Sequence, residues 1–191
     1  MRICDQPDMS IIFQKITETT LTEEEIEKGL TATAYHEAGH AVMAVSLGRP
    51  IEKVTISPSK SPIGAMNSGL RLGVCKIQKG RSKPTKDWLE DEVMILYAGM
   101  VAESGFTKQY CEIGAAQDLR QARRLLERSR TKTQRQLEKL EQRLLDKTEH
   151  ALNDKVHLAA IELVAKELLE KKTISGRAVE HFFKMAQQQH S

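Results

Sequence analysis

The sequence predicts a mainly helical α+β fold, in which a small β-sheet lies beside one apolar helix and the C-terminal half is helical. Two observations carry this prediction. Apolar residues recur with a helical period over most of the chain, whereas strict alternation is confined to two short stretches between residues 51 and 77. The 191 residues suit one ordinary domain, or one domain with a helical extension. We place the domain at residues 22–191 behind an N-terminal extension of residues 1–21.

The first predicted helix begins at Thr22, because Thr22 and Glu25 have the spacing of a capping box. The helix either runs through Gly29 or breaks there and restarts at Thr31, and the sequence leaves both alternatives open. Gly48 marks its predicted end. The last three turns before Gly48 are rich in alanine and valine, so we expect that part to be buried.

Two short strands are predicted next, over Ile51 to Ser57 and Leu70 to Ile77, because apolar and polar residues alternate in both. Residues 57–69 are rich in serine, proline and glycine and therefore predict a loop. Gly80 to Pro84 is a basic connector to the following helix. A small sheet next to the first helix is the expected result.

A strongly apolar helix follows, capped by Thr85 or Asp87 and ended by Gly105. Residues 105–113 are predicted to form a loop, after which a helix begins again at Gly114. This helix has leucines on one face and arginines on the other.

The remaining residues predict further amphipathic helices, with Ser175 capping a short last one. The arginine-rich helical segment from Arg120 to Arg143 is either a packing or partner surface or a solvated face, and we favour the solvated face.

The composition argues against several classes of function. The net charge is only +3 and aromatic residues make up 4% of the chain, so we do not expect nucleic-acid binding. The longest apolar run, Val93 to Ala102, is much shorter than the roughly 20 residues of a membrane helix. Residues 1–10 also lack the features of a signal peptide. We therefore expect a cytoplasmic protein with no membrane segment.

The three cysteines are widely spaced and form no C-x-x-C pair. This pattern fits a reducing compartment without a disulfide framework. We expect Cys4, Cys75 and Cys111 to act as small buried side chains.

The most informative motif is H-E-x-x-H, formed by His36, Glu37 and His40. Residues four apart share a helix face, so both imidazoles can bind one metal ion, for which zinc is best suited. Glu37 is then placed to act as a general base. The alternative is two exposed histidines beside a solvated glutamate. The apolar surroundings argue against that alternative, because buried polar groups need partners.

A catalytic zinc usually has three protein ligands, so another residue must contribute. Metzincins need glycine at position 43 and histidine at position 46, and Met43 and Ser46 exclude that class. Glu103, at the end of the apolar helix, and Asp118, in the first turn of the next, are the acidic candidates. Each also has a non-catalytic explanation: Glu103 as a solvated residue at a helix end, and Asp118 as a charge that favours the positive end of the helix dipole. Spacing alone does not choose between them.

Four segments follow one another in the order of a known family, namely Tyr35–Ala41, Ile51–Pro58, Leu96–Glu103 and Gly114–Leu119. Together they resemble the peptidase domain of the FtsH family of ATP-dependent zinc proteases. Leu168 to Ile174 is similar to the C-terminal end of that domain. The resemblance covers about residues 30–185.

The resemblance implies a set of site residues. Asp118 becomes the third zinc ligand beside His36 and His40, and Glu103 becomes a neighbour that orients a histidine. The family's second strand pairs with the substrate backbone. By resemblance, the substrate-binding residues here are Leu70, Leu72, Gly73 and Val74.

The implied function is a zinc endopeptidase that cleaves unfolded or flexible polypeptides. Gly64 and Gly69 have the spacing of a phosphate-binding loop, but Leu70 and Arg71 stand where lysine and serine or threonine are required. The family joins its peptidase to an ATPase, so a separate ATPase is a possible partner. The resemblance also implies a homo-oligomeric ring, with a monomer or another oligomer as the alternative. The alternative is a regulatory or scaffold protein that has the peptidase fold without its activity and binds such an ATPase.

Overall fold

The computed structural model describes residues 22–56, 74–77, 87–128 and 133–190. These residues form six helices and a three-stranded sheet, which confirms the predicted mainly helical α+β class. In chain order the elements are α1 (Glu23–Ser46), β1 (Ile51–Thr55), β2 (Val74–Ile77), α2 (Trp88–Thr107), α3 (Glu112–Arg128), α4 (Gln134–Leu152), α5 (Lys155–Lys171), β3 (Thr173–Ser175) and α6 (Gly176–Gln189). The N-terminal extension, residues 1–21, lies outside the described residues.

Helix α1 begins with the predicted capping box. The Thr22 hydroxyl accepts a hydrogen bond from the Glu25 N–H at 3.2 Å, and the Glu25 carboxylate accepts one from the Thr22 N–H at 2.8 Å. The helix continues through Gly29 without a break, so the first of the two alternatives is confirmed. It ends before Leu47, and Gly48 follows with a φ of 70°, a left-handed conformation that favours glycine.

The C-terminal half of α1 packs closely against α2. A Cβ at Gly39 would lie 2.4 Å from the carbonyl oxygen of Ala98 and 2.5 Å from the Cβ of Ala102, so only glycine fits there. Apolar residues of α1, α2, α5, α6 and the sheet form the main core around this contact. Burial of each large side chain in it, such as Val42 or Leu168, stabilises the fold by about 1.5–3 kcal/mol.

The middle of α2, Val93 to Ala102, is apolar on all sides because it lies between two cores. Met94, Ile95 and Ala98 belong to the main core, whereas Val93 and Tyr97 pack with residues of α3 and α4 in a second one. A helix in this position needs no polar face. None of the helices in the described part of the chain has the length and apolar character to cross a membrane.

The sheet is antiparallel, with strand order β2-β1-β3. Val54, at its centre, lies opposite Cys75 of β2 and Ile174 of β3. Strand β3 was not predicted, because three residues between two helices are too short to show alternation. Of the second predicted strand, Val74 to Ile77 is confirmed, and Leu70, Leu72 and Gly73 lie outside the described residues.

The boundary between α2 and α3 differs from the prediction. Helix α2 passes Gly105 and ends at Thr107, and α3 begins at Glu112 rather than Gly114, so the predicted loop over residues 105–113 is too long. The cause is Lys108, which adopts a φ of 62° and donates its N–H to the Ser104 carbonyl at 2.8 Å. A lysine here takes the left-handed position that a glycine usually marks.

The described residues of the arginine-rich segment belong to α3 and α4, and they form a solvated face only in part. Arg123 of α3 pairs with Glu141 of α4, and Arg143 of α4 pairs with Glu90 of α2. The remaining arginines on the outer side of α3 are exposed: Arg120, Arg124 and Arg128. The paired arginines therefore link neighbouring helices.

Candidate metal centre

Helix α1 presents the two motif histidines on one face, as their spacing predicts. The rings of His36 and His40 lie 4.7 Å apart in an edge-to-face arrangement, and the residues are only 5% and 6% exposed. Buried imidazoles require partners for their nitrogens. Helices α2 and α3 supply those partners.

Helix α2 fixes the orientation of both rings through their Nδ1 atoms. His36 Nδ1 lies 2.8 Å from Glu103 Oε2, and His40 Nδ1 lies 2.7 Å from the Ile95 carbonyl oxygen. A carbonyl only accepts hydrogen bonds, so His40 donates from Nδ1. With Nδ1 engaged in this way, Nε2 is the ring nitrogen that can bind a metal. The sequence indicated Glu103 but not Ile95. Ile95 acts through its backbone carbonyl, which every residue has, so no residue type marks it in the sequence.

Helix α3 brings Asp118 to the same point. Its Oδ2 lies 3.2 Å from His36 Nε2 and 3.5 Å from His40 Nε2. The three ligand atoms lie within 4.8 Å of one another, and Asp118 is only 5% exposed. Two imidazole nitrogens and one carboxylate oxygen form a donor set typical of catalytic zinc, with a fourth position left for water or substrate. The residues therefore fit a zinc ion.

Glu37 lies in the same buried region and is 2% exposed. Burial by itself lowers the pKa of His36, but hydrogen bonds to Asp118 and Glu103 and the charge of Glu37 outweigh it and raise that pKa to about 9. The anionic surroundings thus favour a positive charge at His36 Nε2. A bound cation would satisfy the same field.

Cys75 is a site neighbour that sequence reasoning missed. Burial, together with the charges of Glu37 and Asp118, raises the pKa of its thiol well above the ordinary value. Cys75 is half-buried and remains a neutral thiol beside these carboxylates. The clue in the sequence was its position on the second predicted strand, which the resemblance places along the cleft.

The expectation that all three cysteines are buried is wrong for Cys111, which is exposed. Cys111 directly precedes α3, and its Sγ accepts a hydrogen bond from the Gly114 N–H at 3.3 Å. The Cys111 side chain thus provides a partner for an N–H group at the start of the helix instead of packing in a core. Cys4 lies outside the described residues.

The predicted substrate-binding residues are described only at Val74. Within the described residues β2 is an edge strand, and Val74 is 46% exposed on it. The structure therefore brings together His36, His40, Asp118, Glu37 and Glu103, whereas Leu70, Leu72 and Gly73 lie outside the described residues.

Comparison with known proteins identifies relatives with a similar sequence. The chain is 34% identical over 124 residues to a protein of Marinobacter nauticus and 37% identical over 106 residues to one of Acidobacterium capsulatum. A protein of Lachnoclostridium phytofermentans is 38% identical over 104 residues. These matches cover 62%, 53% and 52% of this chain, and each relative is named an ATP-dependent zinc metalloprotease FtsH.

The matched regions are only 17%, 14% and 17% of those relatives, so the chain spans less than a fifth of their length. The family model of peptidase family M41 matches residues 21–134, which is more than half of the chain. This match includes the H-E-x-x-H helix, the strands β1 and β2, and the helices that carry Glu103 and Asp118. The chain therefore belongs to peptidase family M41.

Proposed function

We propose that this chain is a zinc-dependent endopeptidase that hydrolyses peptide bonds in unfolded or flexible polypeptides. The observation that carries the proposal is the convergence of three buried ligand atoms, from His36, His40 and Asp118, within 4.8 Å of one another. The zinc metalloprotease names of the relatives support zinc as the ion.

In this proposal His36, His40 and Asp118 hold the zinc. When bound, zinc supplies Lewis acidity, which activates water and polarises a carbonyl. Helix α2 keeps the two imidazoles in the orientation that binding requires, through Glu103 and the Ile95 carbonyl.

Glu37 is proposed as the general base. It accepts the proton of the attacking water on its carboxylate and then delivers that proton to the nitrogen of the leaving amine. Its position, one residue after His36 and 2% exposed, keeps the carboxylate near the reacting groups and away from bulk solvent.

The substrate is proposed to bind in an extended conformation along the edge of β2. Edge strands recognise a peptide mainly through its backbone, which suits unfolded polypeptides of varied sequence. The exposed side chain of Val74 supports this placement. Leu70, Leu72 and Gly73 complete the proposed binding strand.

The relatives are named ATP-dependent, and this dependence suggests a partner for the chain. We propose that an ATPase delivers folded substrates to it in unfolded form. We further propose that the chain assembles as a homo-oligomeric ring, as the resemblance to FtsH implies.

The test compares the wild type with Glu37→Gln, both loaded with zinc, on a fluorogenic unfolded protein substrate. Loss of the base should lower the cleavage rate by at least about 100-fold while zinc stays near one per chain. Glu27→Gln, an exposed glutamate on the same helix, is the matched control and should retain the wild-type rate. Cleavage by Glu37→Gln at the wild-type rate would show that the proposed mechanism is wrong.

If the wild type binds zinc but cleaves nothing, with or without an ATPase, the scaffold alternative is favoured. The same assay with a chelator present should abolish wild-type cleavage, and readdition of zinc should restore it. A rate insensitive to the chelator would contradict a metal-dependent reaction.

A further inference from the structure

Gly99 of α2 lies directly beside the ligand nitrogens of the metal centre. A Cβ at this position would lie 2.5 Å from His40 Nε2 and 2.6 Å from His36 Nε2. It would also lie 2.6 Å from His40 Cε1. Carbon and nitrogen atoms do not approach so closely without a bond, so any side chain at position 99 must displace both imidazoles.

The position of Gly99 on α2 explains this contact. Ile95, Gly99 and Glu103 are spaced four residues apart and therefore share one face of the helix. The outer two hold the Nδ1 atoms of His40 and His36. Gly99 lies between them, opposite the Nε2 atoms. The rings cannot move away from a new side chain without breaking the bonds that orient them.

We propose that Gly99 is a positioning residue of the metal centre. Its missing side chain allows both Nε2 atoms to converge on one ion while α2 holds both Nδ1 atoms. The identity of that ion as zinc rests on the proposed function, but the steric role of Gly99 does not.

This role differs from ordinary close packing of helices. Gly39 lies at the same interface, but the atoms that a Cβ there would meet are the backbone and a methyl group of α2. Gly39 thus sets the distance between the helices, whereas the three atoms nearest to a Cβ at Gly99 all belong to the imidazoles of His36 and His40. Gly105, on the same helix as Gly99, has no atom within 4 Å of an added Cβ and is the matched control.

The first test is a zinc titration of the purified full chain against a competing chromogenic chelator. Gly99→Ala is expected to weaken zinc binding at least 100-fold, and Gly105→Ala should stay within threefold of the wild type. Far-ultraviolet circular dichroism establishes that each variant is folded. Zinc binding by a folded Gly99→Ala variant within threefold of the wild type would overturn the proposal.

The second test needs no metal, and it applies even if Gly99→Ala is unstable. It asks whether the added Cβ acts through the imidazoles of His36 and His40. Urea unfolding is measured in a chelator for Gly99→Ala in the wild-type background and in a His36→Ala, His40→Ala background. We expect Gly99→Ala to lower the urea midpoint in the wild-type background. In the His36→Ala, His40→Ala background the decrease in the midpoint should be at most half as large. An equal loss in both backgrounds, or unfolding in both, would overturn the proposal. A wild type that binds no zinc would count against the proposed function only.

Discussion

Each histidine of the candidate metal centre is held by a different kind of partner. His36 has the carboxylate of Glu103 at 2.8 Å, and His40 has the carbonyl of Ile95 at 2.7 Å. The motif predicted both histidines, because their spacing has a simple geometric meaning on a helix. It did not choose between Glu103 and Asp118, because each is one acidic residue at a helix end. The resemblance supplied that choice, and the structure places Asp118 beside both Nε2 atoms.

Removal of the Glu103 carboxylate should weaken zinc binding without removing a ligand. We expect Glu103→Ala to lower zinc affinity by about 10–100-fold, because His36 loses the group that fixes its ring and increases its basicity. Glu103→Gln should lower zinc affinity less than Glu103→Ala does, since its amide oxygen still accepts a hydrogen bond. The measurement is a competition titration, with the exposed Glu112→Ala as control. An affinity for Glu103→Ala within threefold of the wild type would contradict this role.

The raised pKa of His36 predicts how pH affects the chelator-treated protein. The pKa is about 9 in the folded chain and about 6.5 in an unfolded one, so folding favours the protonated ring. Its contribution to stability is fully present below about pH 6.5 and is lost as pH rises through about 9. Zinc must displace the same proton, so zinc affinity should rise with pH over this window.

Urea unfolding in a chelator at pH 6.5 and pH 9 checks this prediction. The wild type should lose more stability between the two values than His36→Asn does, by about 1–3 kcal/mol. The comparison removes contributions from other titrating groups. An equal loss in both proteins would show that His36 has no raised pKa.

At the scale of the elements, the sequence predicted those helix boundaries that carry a local signal. The start of α1 has a capping box and that of α6 has Ser175, whose side chain accepts from Ala178, and both signals are local. The end of α2 is set by Lys108, whose left-handed conformation has no mark in the sequence. Strand β3 forms because β1 offers it a partner, and pairing partners distant in sequence are invisible to a local pattern.

Substitution by alanine should have opposite effects on stability at Gly29, which lies inside α1, and at Gly48, which follows its end. Gly29 is inside the helix with open space around it, so Gly29→Ala should stabilise the protein by up to about 1 kcal/mol. Gly48 has a φ of 70°, so Gly48→Ala should destabilise it by about 1 kcal/mol. Urea unfolding of both variants is the measurement. Equal signs would contradict the assigned end of α1.

At the scale of the whole molecule, the site depends on three helices, with α1 and α3 packed against α2. Helix α1 gives two candidate ligands, α2 orients them, and α3 gives the third, so residues separated by 82 positions lie in contact. The sequence could predict the helices but not their crossing, which depends on close contacts such as that of Gly39 with Ala98. The domain boundary at residue 22 remains a prediction, supported by the capping box at Thr22.

The metal content of the purified chain tests the central claim most directly. Elemental mass spectrometry is applied to the wild type, to Asp118→Ala and to the exposed control Asp146→Ala after zinc loading and desalting. We predict about one zinc per chain in the wild type and the control, and a marked loss in Asp118→Ala, because a site with three protein ligands is left with two. No zinc in the wild type, or full retention in Asp118→Ala, would contradict a centre formed by His36, His40 and Asp118.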